Sequence, residues 1–279
     1  MTTTLKLWFS TIATTLANPG ALLVFAIIYA FLLVASYIFI WIREATISQV
    51  LVTYALMILI PIGFFALQAS IIDRGLDQKF RWRVILIDTL KFLAVTIPVL
   101  LLAWLLYYLL NKVAARYPAP VVAVTPVTQA AHPAPPTPPV TRPLHWPSLI
   151  FSTLRFALLG VALPVTSIHL WIAVAGGEFR GLFKRIRSAL ARAFSSNSVL
   201  IYGLGLIIFV VLPYIILVPV FTLSGNKTEF AIFALRLLLA FLFSLIGWVS
   251  TLTALTRTIP ALPADVPESS VANPAESAA

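Results

Sequence analysis

The sequence predicts an all-α, polytopic membrane protein with six transmembrane helices and about three basic amphipathic helices at the membrane interface. Three observations carry this. Of 279 residues, 61% are hydrophobic and only 10% are charged, where a soluble protein averages about 25% charged. A soluble fold has too little interior to hide that much apolar surface, so the solvent is largely lipid. Six apolar runs contain no charge, and the basic residues gather on alternate connections between them.

The six runs are residues 20–42, 49–72, 92–110, 156–175, 199–223 and 237–256. Each is close to the ~20 residues that cross a bilayer. The first lacks a small-residue cleavage pattern and is long for a signal-peptide core, so it reads as a retained span. The chain then divides into an N-terminal amphipathic segment (1–19) and three spans with a basic inner loop at 73–91 (20–111). A Pro-rich linker (112–147) leads to three further spans (148–257) and a tail (258–279).

Orientation follows from Lys and Arg, which are retained on the cytoplasmic side. With the N-terminus inside, the inner segments hold Lys6, Arg74, Lys79, Arg81, Arg83, Lys91, Arg180, Lys184, Arg185, Arg187, Arg192 and Arg257. The outer segments hold Arg43, Lys112, Arg116, Arg142 and Lys227; Arg155 and Arg236, at the outer ends of spans, are left out of the count. Both termini are therefore expected in the cytoplasm. Compact size and short loops point to a bacterial inner membrane.

Between Tyr117 and Pro147 lie ten of the twenty prolines. Proline removes an amide donor and fixes φ, so neither helix nor sheet propagates here, and an extended spacer outside the membrane is expected. The Ala- and Pro-rich tail carries Asp265, Glu268 and Glu276 and reads as a disordered cytoplasmic end.

The inner segments resemble one another. Arg-Gly-Leu stands at 74–76 and again at 180–182, and at the same shift Lys79 meets Arg185 and Arg81 meets Arg187. Leu5, Trp8, Phe9, Ile12 and Leu16 repeat the spacing of Phe179, Leu182, Phe183, Ile186 and Leu190. The chain reads as three copies of an amphipathic helix, a span and a return span, with the linker inserted into the middle copy.

Residues 178–194 are the clearest of the amphipathic segments. At 100° per residue Phe179, Leu182, Phe183, Ile186, Leu190 and Phe194 form one stripe, and Arg180, Lys184, Arg185, Arg187 and Arg192 cover the rest. Large apolar residues opposite cations suit a helix lying in the membrane interface. Nucleic acid needs no such stripe and is not an expected partner. The expected contacts are anionic lipids of the inner leaflet, through these five cations and Arg74, Lys79 and Arg81. In the 71–91 segment Leu76, Phe80, Val84 and Ile87 share a face.

Arg155 and Arg236 are the charges nearest the hydrocarbon, both on the outer side. Together they offer an anion clamp for a headgroup or solute; singly they snorkel to the interface. His169 lies within the fourth span and has no intramembrane acid to pair with, so a hydrogen bond to a neighbouring helix is expected. Pro61, Pro98, Pro164, Pro213 and Pro219 fall inside spans and free backbone carbonyls, as the broken helices of transporters do. Eleven glycines and no GxxxG in any span weigh against unwound half-helices.

No nucleotide loop, HExxH, GxSxG or paired intramembrane carboxylate is present. The chain has no cysteine, so thiolate chemistry is excluded. No catalytic residue, metal site or cofactor is expected. The leading function is a non-catalytic scaffold or accessory protein associated with the bilayer and its anionic lipids, with room for a membrane-protein partner. The first alternative is a small transporter or permease subunit for an anionic or lipid-like solute, and the second a lipid-modifying membrane enzyme. A transporter requires Arg155 and Arg236 to face each other. A scaffold requires no polar cavity at mid-depth. An enzyme requires Asp73, Asp77 or Asp88 to line a cleft.

Overall fold

The computed structural model describes residues 2–43, 45–77, 81–118, 145–175, 182–218 and 226–258. The fold is that of an all-α multi-pass membrane protein, with no strand among the described residues. Two helices are short: α1 (Thr2–Leu16) and α6 (Leu182–Ala193). Six are long and apolar enough to cross a membrane. They are α2 (Pro19–Trp41), α3 (Ile47–Asp77), α4 (Trp82–Ala114), α5 (Trp146–Ala175), α7 (Ser196–Leu217) and α8 (Asn226–Arg257). Most of the linker and all but the first residue of the tail lie outside the described residues.

Helices of 30 or more residues run about 45 Å at 1.5 Å per residue, against a hydrocarbon core of about 30 Å. Their ends therefore project into the interface, and this corrects one expectation. Among the described residues of the segment 71–91 there is no separate third interfacial helix. The segment's first part is the end of α3, which continues to Asp77, and its last part is the start of α4 at Trp82. The buried face there is Ile85, Asp88, Thr89 and Phe92. Leu76 and Ile87, which share the expected apolar face, are exposed, and Phe80 lies outside the described residues.

Consecutive spans pack side by side: α2 on α3, α3 on α4, α4 on α5 and α7 on α8. Helix α8 also packs on α3, α2 and α5, and α1 lies across the end of α8 and the start of α7. The buried residues crowd at one end. They come from the last turns of α3, α5 and α8 and the first turns of α4 and α7. In the opposite halves, residues 47–63, 97–113, 146–159, 207–218 and 227–239, only Leu56 and Pro213 are buried.

The polar side chains share this asymmetry. Lipid is as apolar as leucine, so apolar faces gain little from each other, while buried polar groups must find partners. Gln68, Ser70, Asp73, Asp88, Thr89, Thr96, Ser167, His169, Ser198, Ser250, Thr251 and Thr256 are all buried at the packed end. Trp171 shows how apolar and polar contacts combine there. Its ring stacks on Phe92 at 5.9 Å and meets Phe65 edge-on at 5.8 Å, while its indole N–H donates to Thr96 Oγ1 at 2.9 Å.

Two of the prolines are compensated by neighbouring helices, and Pro219 lies outside the described residues. Helices α3 and α4 run on through Pro61 and Pro98. In α5 and α7 a π-helical stretch ends just before the proline: Phe156–Ala162 before Pro164, and Ile207–Val211 before Pro213. Pro164 has no N–H for the Gly160 carbonyl, and Tyr202 of α7 donates its hydroxyl there at 3.1 Å. Pro213 has none for the Phe209 carbonyl, and Ser244 of α8 donates there at 3.2 Å. These carbonyls bind helices together, so they are not left facing a pore.

Candidate functional site at the basic end

Because the spans alternate in direction, α1, α6, the α3–α4 connection and the end of α8 share one end of the bundle. That end gathers Lys6, Arg74, Arg81, Arg83, Lys91, Arg187, Arg192 and Arg257. Lys79 and Arg180, and the side chains of Lys184 and Arg185, lie outside the described residues. At the other end stand Arg43, Lys112, Arg116 and Lys227.

Helix α6 meets both the protein and its surroundings. Ala189 and Ala193 are buried and Ile186 partly so, with Ala189 and Ile186 in the cluster of Val95, Leu170 and Val174. Leu190 and Phe194 are 37% and 60% exposed, and Arg187 and Arg192 flank them. The stripe expected to face lipid is thus divided. Ile186 packs on the bundle beside Ala189, which is not part of the stripe, while Leu190 and Phe194 remain exposed; Phe179 and the side chains of Leu182 and Phe183 lie outside the described residues.

Two buried carboxylates face the α3–α4 connection. Asp73 Oδ1 pairs with Arg81 Nη2 at 3.4 Å, and Asp88 Oδ1 pairs with Lys91 Nζ at 2.8 Å. The acids are 6% and 4% exposed at the side chain while their partners reach outward. Burying a carboxylate is costly unless it is paired; Asp88 is closely paired, while Asp73 has one long pair and its Oδ2 is buried without a hydrogen-bond partner. Neither acid lines any cavity described below. The Asp77 side chain lies outside the described residues.

His169 does bond to a neighbouring helix. Its Nδ1 lies 2.9 Å from the Val165 carbonyl, so that nitrogen carries the proton. Nε2 is then an acceptor, and Ser198 Oγ donates to it at 3.0 Å. Ser195 donates in turn to Ser198 Oγ at 3.0 Å, and its own hydroxyl caps α7 by accepting from the Ser198 N–H. The chain Ser195–Ser198–His169 is satisfied, and both His169 and Ser198 are buried.

Arg155 and Arg236 are not brought together. The Arg155 guanidinium lies over the Tyr107 ring of α4, 5.9 Å from its centre. Arg236 Nε donates to the Ile216 carbonyl at 2.6 Å. That carbonyl is in the last turn of α7, where backbone acceptors lack intrahelical donors. Each arginine fastens a different helix pair.

Two hollows contain groups the sequence did not associate. One lies at mid-bundle, about 360 Å³, between α2, α3, α7 and α8. Its walls are mostly apolar, and its polar members include Tyr29, Gln68, Ser244 and Trp248. Gln68 Oε1 accepts from the Trp248 indole at 2.8 Å, and Gln68 Nε2 is buried without a hydrogen-bond partner. The other hollow lies at the basic end, about 270 Å³ and half-open. Arg74 from α3 and Arg257 from α8 line it with Thr14, Thr15, Asn18 and Thr253. The two arginines stand far apart in the sequence, and no motif links them.

No protein-family model, no curated protein and no solved structure matches the chain.

Proposed function

We propose that the protein is a non-catalytic membrane scaffold or accessory protein, held by its basic end on an anionic leaflet with both termini cytoplasmic. The supporting observation is the coincidence of two asymmetries. The packed end of the bundle is also the end where Lys6, Arg74, Arg81, Arg83, Lys91, Arg187, Arg192 and Arg257 gather. Each basic residue close to an anionic surface contributes about 1 kcal/mol. Helix α6 serves this arrangement as an interfacial amphipathic helix, with Leu190 and Phe194 in the lipid and Arg187 and Arg192 at the headgroups. The paired states of Asp73 and Asp88, and the satisfied His169–Ser198 chain, support a structural role for the polar core over a catalytic one.

The test is thermal stability in nanodiscs of zwitterionic lipid against nanodiscs with a third of anionic lipid. The anionic lipid raises Tm by several degrees, since about 1 kcal/mol moves Tm by ~2–4 °C in a chain of this size class. The gain fades in 1 M salt, where screening acts within about 3 Å. A Tm indifferent to anionic lipid at low salt sinks the proposal.

The mid-bundle hollow favours a second reading, passage or holding of a lipid-like solute. Its buried Gln68 amide is the observation behind it. That reading does not use Arg155 and Arg236 as a joint clamp.

A further inference from the structure

We infer that the hollow between α1, α2, α3 and α8 is a specific site for the phosphate of an anionic glycerophospholipid. The inference rests on the proposed anionic-leaflet reading and goes beyond it. Diffuse attraction needs only surface charge, whereas this is a built pocket with a stoichiometry.

The geometry is particular. Arg74 and Arg257 line the hollow from two different helices, and among the described residues no carboxylate lines it. Guanidinium groups match phosphate oxygens in a two-pronged way that a lysine cannot. Thr14, Thr15, Asn18 and Thr253 add hydroxyl and amide groups around the same space. Arg257 Nη1 donates to Thr14 Oγ1 at 3.4 Å, so the last turns of α8 and α1 are already joined at the rim. Asn18 precedes α2 and makes no side-chain capping bond, which leaves the first turn of α2 to add its positive dipole end.

Gly75 explains why the two arginines converge. A Cβ at that position would stand 2.5 Å from Thr256 Oγ1. Glycine therefore lets α3 and α8 close up at the step beside Arg74 and Arg257. Here the Arg-Gly-Leu triplet gains a physical role at 74–76: the arginine binds and the glycine permits the approach.

The floor decides between a lipid and a soluble phosphate. Ala21, Leu22, Phe25 and Val249 line it. An inorganic phosphate or sugar phosphate gains nothing from such a surface, while the glycerol and first acyl carbons of a phospholipid bury against it. The volume lies near the lower bound of ~300 Å³ for small-molecule pockets, which suits a headgroup whose tails remain in the bilayer.

The experiment is native mass spectrometry of the full chain in mild detergent, titrated with phosphatidylglycerol, phosphatidylcholine or inorganic phosphate. Wild type retains one phosphatidylglycerol in preference to phosphatidylcholine, and millimolar inorganic phosphate does not displace it. The double variant R74Q/R257Q weakens that binding roughly tenfold or more. K112Q/R116Q removes the same charge from the opposite end of the bundle and keeps the single bound lipid. Ala21→Phe fills the floor without touching a cation and also loses it, which guards against misfolding of the arginine variant. Unchanged binding in both R74Q/R257Q and Ala21→Phe overturns the site. Displacement by inorganic phosphate overturns the lipid and leaves a soluble phosphate ligand. If wild type in nanodiscs is stabilised by anionic lipid while R74Q/R257Q binds phosphatidylglycerol normally, the hollow fails and the leaflet reading stands. If neither effect occurs, both fail.

Discussion

Tyr202 donates its hydroxyl to the Gly160 carbonyl at 3.1 Å, the oxygen that Pro164, four residues on, has no N–H to reach. Ser244 repeats the arrangement at the Phe209 carbonyl, four residues before Pro213. In both cases a proline removes a donor from one helix and a neighbour supplies it. Irregular backbone at membrane depth is tolerated where other helices re-satisfy it. The two bonds tie α5 to α7 and α7 to α8.

Tyr202→Phe should therefore destabilise by about 1–3 kcal/mol, the cost of a buried polar group left unpaired. The same change made in a Pro164→Ala background should cost less, because alanine restores a backbone N–H to the helix. Equilibrium unfolding in mixed micelles measures both. Equal costs in the two backgrounds would show that the hydroxyl does not stand in for the missing amide.

The Trp248–Gln68 bond invites a cycle of its own. Trp248→Phe leaves Gln68 with neither polar atom bonded, since Nε2 already lacks a partner. Trp248→Phe should cost about 1–2 kcal/mol, and adding Gln68→Leu should recover part of the loss. A double variant less stable than Trp248→Phe alone would mean that Gln68 contributes through something other than this bond.

Close helix approach makes Gly247 the sensitive glycine of α8. A Cβ there would meet the Phe209 backbone nitrogen at 2.9 Å, and backbone cannot swing aside. Gly247→Ala should cost about 1–3 kcal/mol by overpacking. Gly203→Ala is the control, because nothing lies within 4 Å of its Cβ position. It should be neutral or gain up to about 1 kcal/mol of helix propensity. Thermal melts of the two variants in one detergent give the comparison, and similar melting points would contradict the packing of α7 on α8.

Lys91→Met strips the partner from buried Asp88 and should destabilise by about 1–3 kcal/mol at neutral pH. Asp88→Asn combined with Lys91→Met removes the stranded charge and should restore most of that. Chemical denaturation of the two variants separates the outcomes. If both lose the same amount, the lysine acts through its alkyl stem and not its charge.

The spans are legible in the sequence because absence of charge over ~20 residues has one physical meaning. All six runs fall on long helices, though 199–223 extends past the end of α7 into residues outside the described set. The helix ends are less legible. Charged residues such as Arg74 and Asp88 interrupt the apolar signal, but the backbone continues through them, so the 71–91 segment reads as separate when it belongs to α3 and α4. The division of the α6 stripe is hidden because alanine scores weakly as apolar, yet Ala189 and Ala193 make the docking face. The convergence of Arg74 on Arg257 has no local signal. It depends on α3 meeting α8, and only the gap left by Gly75 hints at that approach. The helix-to-helix bond of His169 is legible because no intramembrane acid is available to it.

Orientation is the most direct test of the account, since the anionic-leaflet role requires the basic end to face the cytoplasm. The chain has no cysteine, so single cysteines report without background. Ser196→Cys marks the basic end and Thr228→Cys the opposite end, and both positions are exposed. In intact cells a membrane-impermeant maleimide should label Thr228→Cys at once and Ser196→Cys only after permeabilisation. Labelling of Ser196→Cys in intact cells, with Thr228→Cys protected, would place the basic end outside and contradict the proposed role.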